Sequence, residues 1–151
     1  MAQANHGLVH YYFGSKDGLL LEMVRRSAAI YGEQFASLER EASGPELASK
    51  AMATSTAILR ADPDRTRLHA ELVSLGLRRP ELHPEIAALI IDTTERTAKL
   101  VAIARGRQEA TDDDRATAAV LRSAFDGLAM QLAYDPGFDL EGAVEVLKRI
   151  L

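Results

Sequence analysis

The residues NHGLVHYYFGSKDGLLLEMV (5–24) have the pattern of a short helix, a tight break and the start of a longer helix. Asn5 belongs to the residue types favoured at a helix N-cap. Val9 and Phe13 are four residues apart, so they share one helix face that can pack against a core. Gly14 permits the chain reversal that ends the short helix. This stretch therefore predicts two successive helices joined by a tight turn.

The outer face of the short helix carries a different set of side chains. It presents histidine, aromatic and aliphatic residues: His6, Leu8, His10, Tyr11 and Tyr12. Ser15 is predicted to cap the next helix, with Lys16 in its first turn. Such a helix, followed by a lysine, can meet a DNA groove and its phosphates. The alternative is core packing, which is the commoner environment of an aromatic cluster.

The string GLVHYYFGSKDGLL (7–20) resembles the end of the helix-turn-helix in the TetR family of bacterial transcription regulators. In that family the recognition helix carries a glycine, a hydrophobic anchor, aromatic or histidine residues and a phenylalanine, and a Ser-Lys pair and a Leu-Leu step open the following helix. The matching residues are Gly7, Val9, His10, Tyr11, Tyr12, Phe13, Ser15, Lys16, Leu19 and Leu20. The resemblance implies the following candidates for DNA contact: Asn5, His6, Leu8, His10, Tyr11, Tyr12 and Lys16.

Members of the TetR family place two more helices before this point. Only residues 1–4 precede the predicted recognition helix here, which is too few for a stable helix. In the usual docking, a partner helix crosses the DNA backbone and holds the recognition helix in the major groove. We therefore expect an N-terminally shortened DNA-binding domain, in which binding to operator DNA can be impaired or lost.

Composition excludes several classes of protein. The chain has 151 residues and no cysteine, which fits a reducing compartment and excludes thiol catalysis and cysteine-based metal sites. No apolar run reaches the ~20 residues of a membrane span and no secretory signal is visible, so we expect a cytoplasmic protein without a membrane partner. The net charge of −4 gives no support to DNA binding by bulk charge.

Helical periodicity runs through every long segment, so we predict an all-α fold. By resemblance it is TetR-like, with a helix-turn-helix remnant and linker helix in residues 1–42 and a ligand-binding and dimerisation domain in residues 43–151. Thr111 and Asp139 are predicted helix caps, and prolines are predicted to open helices at residues 63 and 84.

The predicted helices direct a set of mainly apolar side chains towards the interior, where a ligand cavity could form. The cavity candidates are Met52, Ser55, Leu59, Leu72, Leu75, Ile90, Thr93, Thr97 and Phe125. Thr93 and Thr97 allow a second interpretation, because a threonine within a helix can bond its hydroxyl to its own backbone.

The segment DGLAMQLAYDP (126–136), followed by a short amphipathic helix, resembles the end of the regulatory domain in the TetR family. There the last two helices of each subunit pair with those of a second subunit in a four-helix bundle. The resemblance implies a homodimer, with these candidates for core or dimer contact: Leu121, Leu128, Leu132, Val144 and Leu147.

Nothing in the sequence predicts an enzyme or a cofactor. No phosphate-binding loop, nucleophile motif or paired carboxylate motif is present. The adjacent carboxylates Asp112, Asp113 and Asp114 point in different directions at a helix start, which favours helix stabilisation over a metal site.

Two functions follow from these observations. The first is a ligand-responsive DNA-binding transcription regulator of the TetR type, usually a repressor, in which an effector bound in the helical body changes the spacing of two DNA-reading heads. The second is a helical dimerisation and ligand-binding module that does not bind DNA.

Overall fold

The computed structural model describes residues 15–150, apart from the side chains of residues 16, 17, 63, 65 and 150. This part of the chain contains six helices and no strand, which confirms the predicted all-α class. The helices are α1 (Lys16–Glu41), α2 (Gly44–Ala61), α3 (Pro63–Gly76), α4 (His83–Ala104), α5 (Asp112–Tyr134) and α6 (Leu140–Ile150). The short helix predicted within residues 5–13 lies outside the described residues. None of the six helices combines the length and apolar content needed to cross a membrane.

Side-chain caps fix the starts of three helices where the sequence predicts them. The Gly18 N–H donates to Ser15 Oγ over 3.0 Å at the start of α1. At the start of α5, Thr111 forms a capping box with Asp114. Asp139 Oδ1 accepts from the N–H of Gly142 over 2.9 Å at the start of α6. These bonds satisfy N–H groups that have no partner within the helix itself.

The helices α1 and α4 take part in both clusters of buried side chains. The first cluster joins α1 and α4 to α3 and the turn before α4, through Val24, Leu72, Leu82, Ile86 and Leu89. The second joins α1 and α4 to α2, through Leu38, Leu47 and Leu100. Fully burying one such side chain stabilises the fold by about 1.5–3 kcal/mol. The packing of α1 on α4 therefore organises the body of the protein.

The last helix, α6, packs its apolar face within the same chain. Leu140, Val144 and Leu147 are buried. Arg60 at the end of α2 binds the Glu141 carboxylate with two nitrogens, at 3.1 and 2.6 Å, and also donates to the carbonyl of Phe138. These contacts hold α6 against α2.

The junction between α4 and α5 is built around Asp114, whose side chain is fully buried. Its Oδ2 accepts from the N–H and the hydroxyl of Thr111, at 2.9 and 2.8 Å. Its Oδ1 accepts from Arg105 over 2.8 Å and from Arg107. The pKa of Asp114 lies far below its usual range, mainly because the carboxylate accepts the Thr111 N–H. The Thr111 hydroxyl and the two guanidinium groups lower the pKa further, and burial opposes them. A buried charge is tolerated here because every partner is present.

We expect Asp114→Asn to lower the melting temperature at pH 7 by roughly 5–10 °C, because the amide cannot accept all four bonds. The depressed pKa keeps the native carboxylate ionised where the unfolded chain binds a proton. Its contribution to stability is therefore present above about pH 4 and is lost as the pH falls further. Thermal unfolding followed by circular dichroism should show that, as the pH is lowered through this range, the melting temperature of the variant falls less than that of the unchanged chain.

The matched control for Asp114→Asn is Asp112→Asn on the same helical turn. Asp112 is exposed and pairs with Arg115 over 3.0 Å, so its loss should change the melting temperature by only about 1–2 °C. Equal effects of the two variants would contradict the role given to Asp114.

Gly76 marks a close approach of α3 to α4. A Cβ atom added at Gly76 would lie 2.7 Å from Ile86 Cδ1 and 3.3 Å from Ile86 Cβ. We expect Gly76→Ala to reduce the free energy of unfolding by about 1–3 kcal/mol, because Ile86 must move within the first cluster. In the control Gly32→Ala the nearest atom is 3.9 Å away, so the same change should be neutral or stabilising by up to about 1 kcal/mol. Denaturant unfolding of both variants tests the contrast.

Candidate functional site

A cavity of about 220 Å³ lies inside the helical body. Helix α1 contributes Tyr31, Gln34, Phe35 and Leu38 to its wall, and α2, α4 and α5 form most of the remainder. The lining is mainly aliphatic and aromatic, with a few polar side chains. Small-molecule sites in proteins have this composition, since apolar walls supply burial and polar groups set orientation. The volume lies below the usual range for drug-sized ligands, so the cavity suits a small molecule.

Five of the predicted cavity residues line this space: Met52, Ser55, Leu59, Thr97 and Phe125. They come from α2, α4 and α5, which the sequence predicts as separate helices with apolar faces. The hydroxyl of Thr97 donates to the carbonyl of Thr93 over 2.8 Å, so its own helix already provides a partner for it.

The other four predicted cavity residues lie elsewhere, and their assignment to this cavity is corrected here. Leu72 belongs to the first buried cluster, and with Leu75 it lines a separate groove beside α3. Ile90 is 37% exposed on the outer side of α4. Thr93 is buried, with its hydroxyl donating to the carbonyls of Leu89 and Ile90 at 2.7 and 3.1 Å. The periodicity of apolar residues predicts which side of a helix faces the interior. It does not predict whether a residue on that side lies in the packed core or lines the cavity.

Sequence reasoning predicted Ser55 and Thr97 but missed the other polar residues of the cavity wall. These include Gln34, Thr54, His69, Arg122 and Asp126. Arg122 and Asp126 each follow a residue of the apolar stripe that contains Leu121 and Phe125, and this was the available signal. The ring of His69 meets the ring of Tyr31 edge to face, with centroids 5.9 Å apart.

Four polar side chains of the wall make no hydrogen bond or ion pair with the described side chains. They are Gln34 on α1, Thr54 and Ser55 on α2, and Arg122 on α5. Asp126 also lines the cavity without such a partner, but it is exposed to solvent. The wall therefore retains polar groups from three helices that can bind a ligand.

A second feature is an exposed stripe on α5, which we call the pairing face. Its members recur at intervals of three and four residues: Ala116, Val120, Ser123, Gly127, Met130 and Tyr134. Val120 is 55% exposed, Met130 43% and Tyr134 84%. Residues at this spacing lie along one side of a helix, and the small members permit close approach of another helix.

The pairing face differs from the residues predicted for dimer contact. Val144 and Leu147 are buried within the chain, because α6 uses that side to pack on α2 and α5. Leu121 lines the cavity, and Leu128 and Leu132 are half-buried. Val144 and Leu147 therefore take the core role, which was one of the two roles predicted for them, and Val146 is the exposed large apolar residue among the described side chains of α6.

The residues predicted to contact DNA fall at the edge of the described chain. Asn5, His6, Leu8, His10, Tyr11 and Tyr12 lie outside the described residues, as does the side chain of Lys16. Within residues 15–150, no group of three or more histidine and acidic side chains is arranged to hold a metal ion. The cavity and the pairing face are two features of the described chain that suit binding.

We compared the chain with models of protein families, with curated proteins and with solved structures, and none of them matches it. The family resemblance therefore rests on the residues of the sequence, and the functional assignment rests on the geometry of the cavity and the pairing face.

Proposed function

We propose that the chain is a ligand-responsive, DNA-binding transcription regulator of the TetR type that acts as a homodimer, usually to repress. The observation that carries this proposal is the path of α1. This helix supplies Tyr31, Gln34, Phe35 and Leu38 to the cavity wall, and it begins at Lys16, directly after the residues predicted to read DNA. One continuous helix thus links the ligand site to the predicted reading head.

The length and packing of α1 suit it to transmit a displacement. Its 26 residues span about 39 Å. Two ion pairs tie it to α4: Arg25 with Glu85 at 4.0 Å, and Glu39 with Lys99 at 2.6 Å. A ligand that fits one arrangement of α1 and α4 better than another shifts the population towards that arrangement. In a dimer, the shift changes the distance between two reading heads and so couples the ligand site to DNA.

Homodimer formation in this proposal uses the pairing face of α5 together with Val146 of α6. Exposed apolar side chains arranged along one side of a long helix favour association with another helix. Gly127 and Ala116 leave room for close approach, while Val120, Met130 and Tyr134 supply apolar area. A second copy of the chain can present the same stripe in a self-complementary contact.

One observation favours the second function, a dimerisation and ligand-binding module without DNA activity. The net charge is −4, and Arg25 near the start of α1 lies between two carboxylates, Glu22 at 3.9 Å and Glu85 at 4.0 Å. A cation with two carboxylates nearby contributes less to phosphate binding, because the affinity for DNA rises with the number of phosphates that the cations of the protein neutralise.

DNA binding is tested by selecting fragments from a pool of genomic DNA and measuring their gel shift at physiological salt. We expect retention of sequences with two-fold symmetry, because each subunit of a dimer reads one half-site. His10→Ala and Tyr11→Ala should each weaken binding about tenfold or more, by removing base contacts. His83→Ala on the exposed start of α4 is the control and should bind as the unchanged chain does. A dimer that retards no DNA would establish the second function instead.

The pairing face is tested by Val120→Glu. A buried unpaired charge in the α5 contact should weaken association about a hundredfold or more, measured by analytical ultracentrifugation over a dilution series. The melting temperature of the monomer should change little, because Val120 is exposed within one chain. Leu77→Glu is the matched control, since Leu77 is 79% exposed and belongs to the turn after α3, not to α5. Dimers of equal strength in both variants would rule out this surface.

A further inference from the structure

Arg122 differs from Arg96, Arg105 and Arg115, which lie in or next to α4 and α5, in having no carboxylate partner among the described side chains. Arg96 pairs with Asp92 at 2.8 Å, Arg105 with Asp113 at 2.7 Å, and Arg115 with Glu95 at 3.1 Å. Arg122 is half-buried in the cavity wall and forms no hydrogen bond or ion pair with the described side chains. Withdrawing a charged group from water without a partner is unfavourable, so this guanidinium is suited to an anion that enters the cavity.

The chemistry of the guanidinium selects the kind of anion. Its planar array of N–H donors matches the two oxygens of a carboxylate, which it can bind bidentately. Gln34 and Ser55 add an amide and a hydroxyl from the facing helices α1 and α2, neither of which has a partner within the described chain. The wall therefore offers several donors to one small acidic group.

Asp126 limits the charge of the ligand. It lies one helical turn after Arg122, also lines the cavity, and is exposed to solvent. The two side chains do not form an ion pair with each other, so both charges face the cavity region separately. A second negative group on the ligand would meet the Asp126 carboxylate, which is unfavourable between like charges. A single carboxylate satisfies Arg122 without that repulsion.

The cavity volume limits the rest of the ligand. An apolar cavity of about 150 Å³ is large enough for benzene. The volume of about 220 Å³ therefore accommodates one ring, or an aliphatic chain of similar size, with a short acidic arm. Tyr31, Phe35 and Phe125 line the wall and can pack against a ring edge to face or offset.

We infer that the cavity binds a small apolar monocarboxylate, whose carboxylate pairs with Arg122 and whose ring or chain packs among the aromatic and aliphatic side chains. This inference rests on the proposed ligand-responsive function and names the class of its effector. The ligand neutralises Arg122, joins α5 to Gln34 on α1, and so acts on the helix that leads to the predicted reading head.

The test uses three probes that share one skeleton: phenylpropionate, phenylpropanol and phenylpropylamine. Binding to the full chain is measured by isothermal titration calorimetry without DNA. We expect phenylpropionate to bind at least about tenfold more tightly than phenylpropanol, because only the acid forms a charge-assisted pair with Arg122. Phenylpropylamine should bind more weakly than the acid, because its ammonium group is repelled by the Arg122 guanidinium. Equal binding of the acid and the alcohol, tighter binding of the amine, or no binding by any probe would overturn the inference.

Two variants locate the contact. Arg122→Met keeps an unbranched side chain of similar length and should remove the preference for the acid while retaining binding of the alcohol. Asp126→Asn is the matched control on the next turn and should preserve or strengthen the preference. Circular dichroism checks the fold of each variant, and Arg122→Lys, which keeps the charge but not the bidentate geometry, should retain part of the preference. An unchanged preference in Arg122→Met would refute the assignment of Arg122.

The outcomes separate this inference from the proposed function. Selective binding of phenylpropionate with no retarded DNA would support the ligand class and contradict the DNA-binding regulator. DNA that is bound and then released only by amines or neutral molecules would support the regulator and overturn the ligand class.

Discussion

The packing of α1 against α4 is the contact on which the rest of this molecule depends. Val24 and Leu38 lie at two well-separated positions on α1 and are buried in different clusters, and α4 contributes Leu89 and Leu100 to the same two clusters. Because both clusters require the same helix pair, α1 is held along much of its length. The cavity lies beside this pair and takes part of its wall from each helix. The geometry of any ligand site there is thus set by how α1 and α4 pack.

The polar side chains of the molecule fall into two groups. Those of the first group bond to one another and hold the helices together, and those of the second have no partner within the described chain. At the junction of α4 and α5, Asp114 is surrounded by donors and its charge is fully compensated. Arg60 and Glu141 similarly hold α6 in place. Gln34 and Arg122 have no comparable partner within the described chain, although both line an apolar space. Buried polar groups in proteins are nearly always bonded, either to protein or to water. A ligand that enters this space can therefore replace water as the partner of these two side chains.

Much of the helical architecture could be predicted from the sequence, because local chemistry sets where helices begin. Ser15, Thr111 and Asp139 are typical capping residues, and each accepts a backbone N–H at the helix start that it predicts. The same local chemistry does not specify which neighbour covers a helix face. Periodicity placed Val144 and Ile90 on apolar faces, yet Val144 is buried within its own chain and Ile90 lies at the surface of α4. Two polar residues of the cavity, Gln34 and Arg122, were missed for the same reason, since they line one space only through the packing of helices that are distant in the sequence.

The division of labour around the cavity has a practical side. Met52 and Ser55 lie in the wall but belong to neither buried cluster, whereas Leu38 and Leu100 serve as wall and core together. Substitutions at these two positions of α2 can therefore change which ligands the cavity selects, while the packing of α1 against α4 is preserved. To turn this protein into a biosensor for another ligand, a designer would first vary the cavity residues of α2 and keep α1 and α4 unchanged.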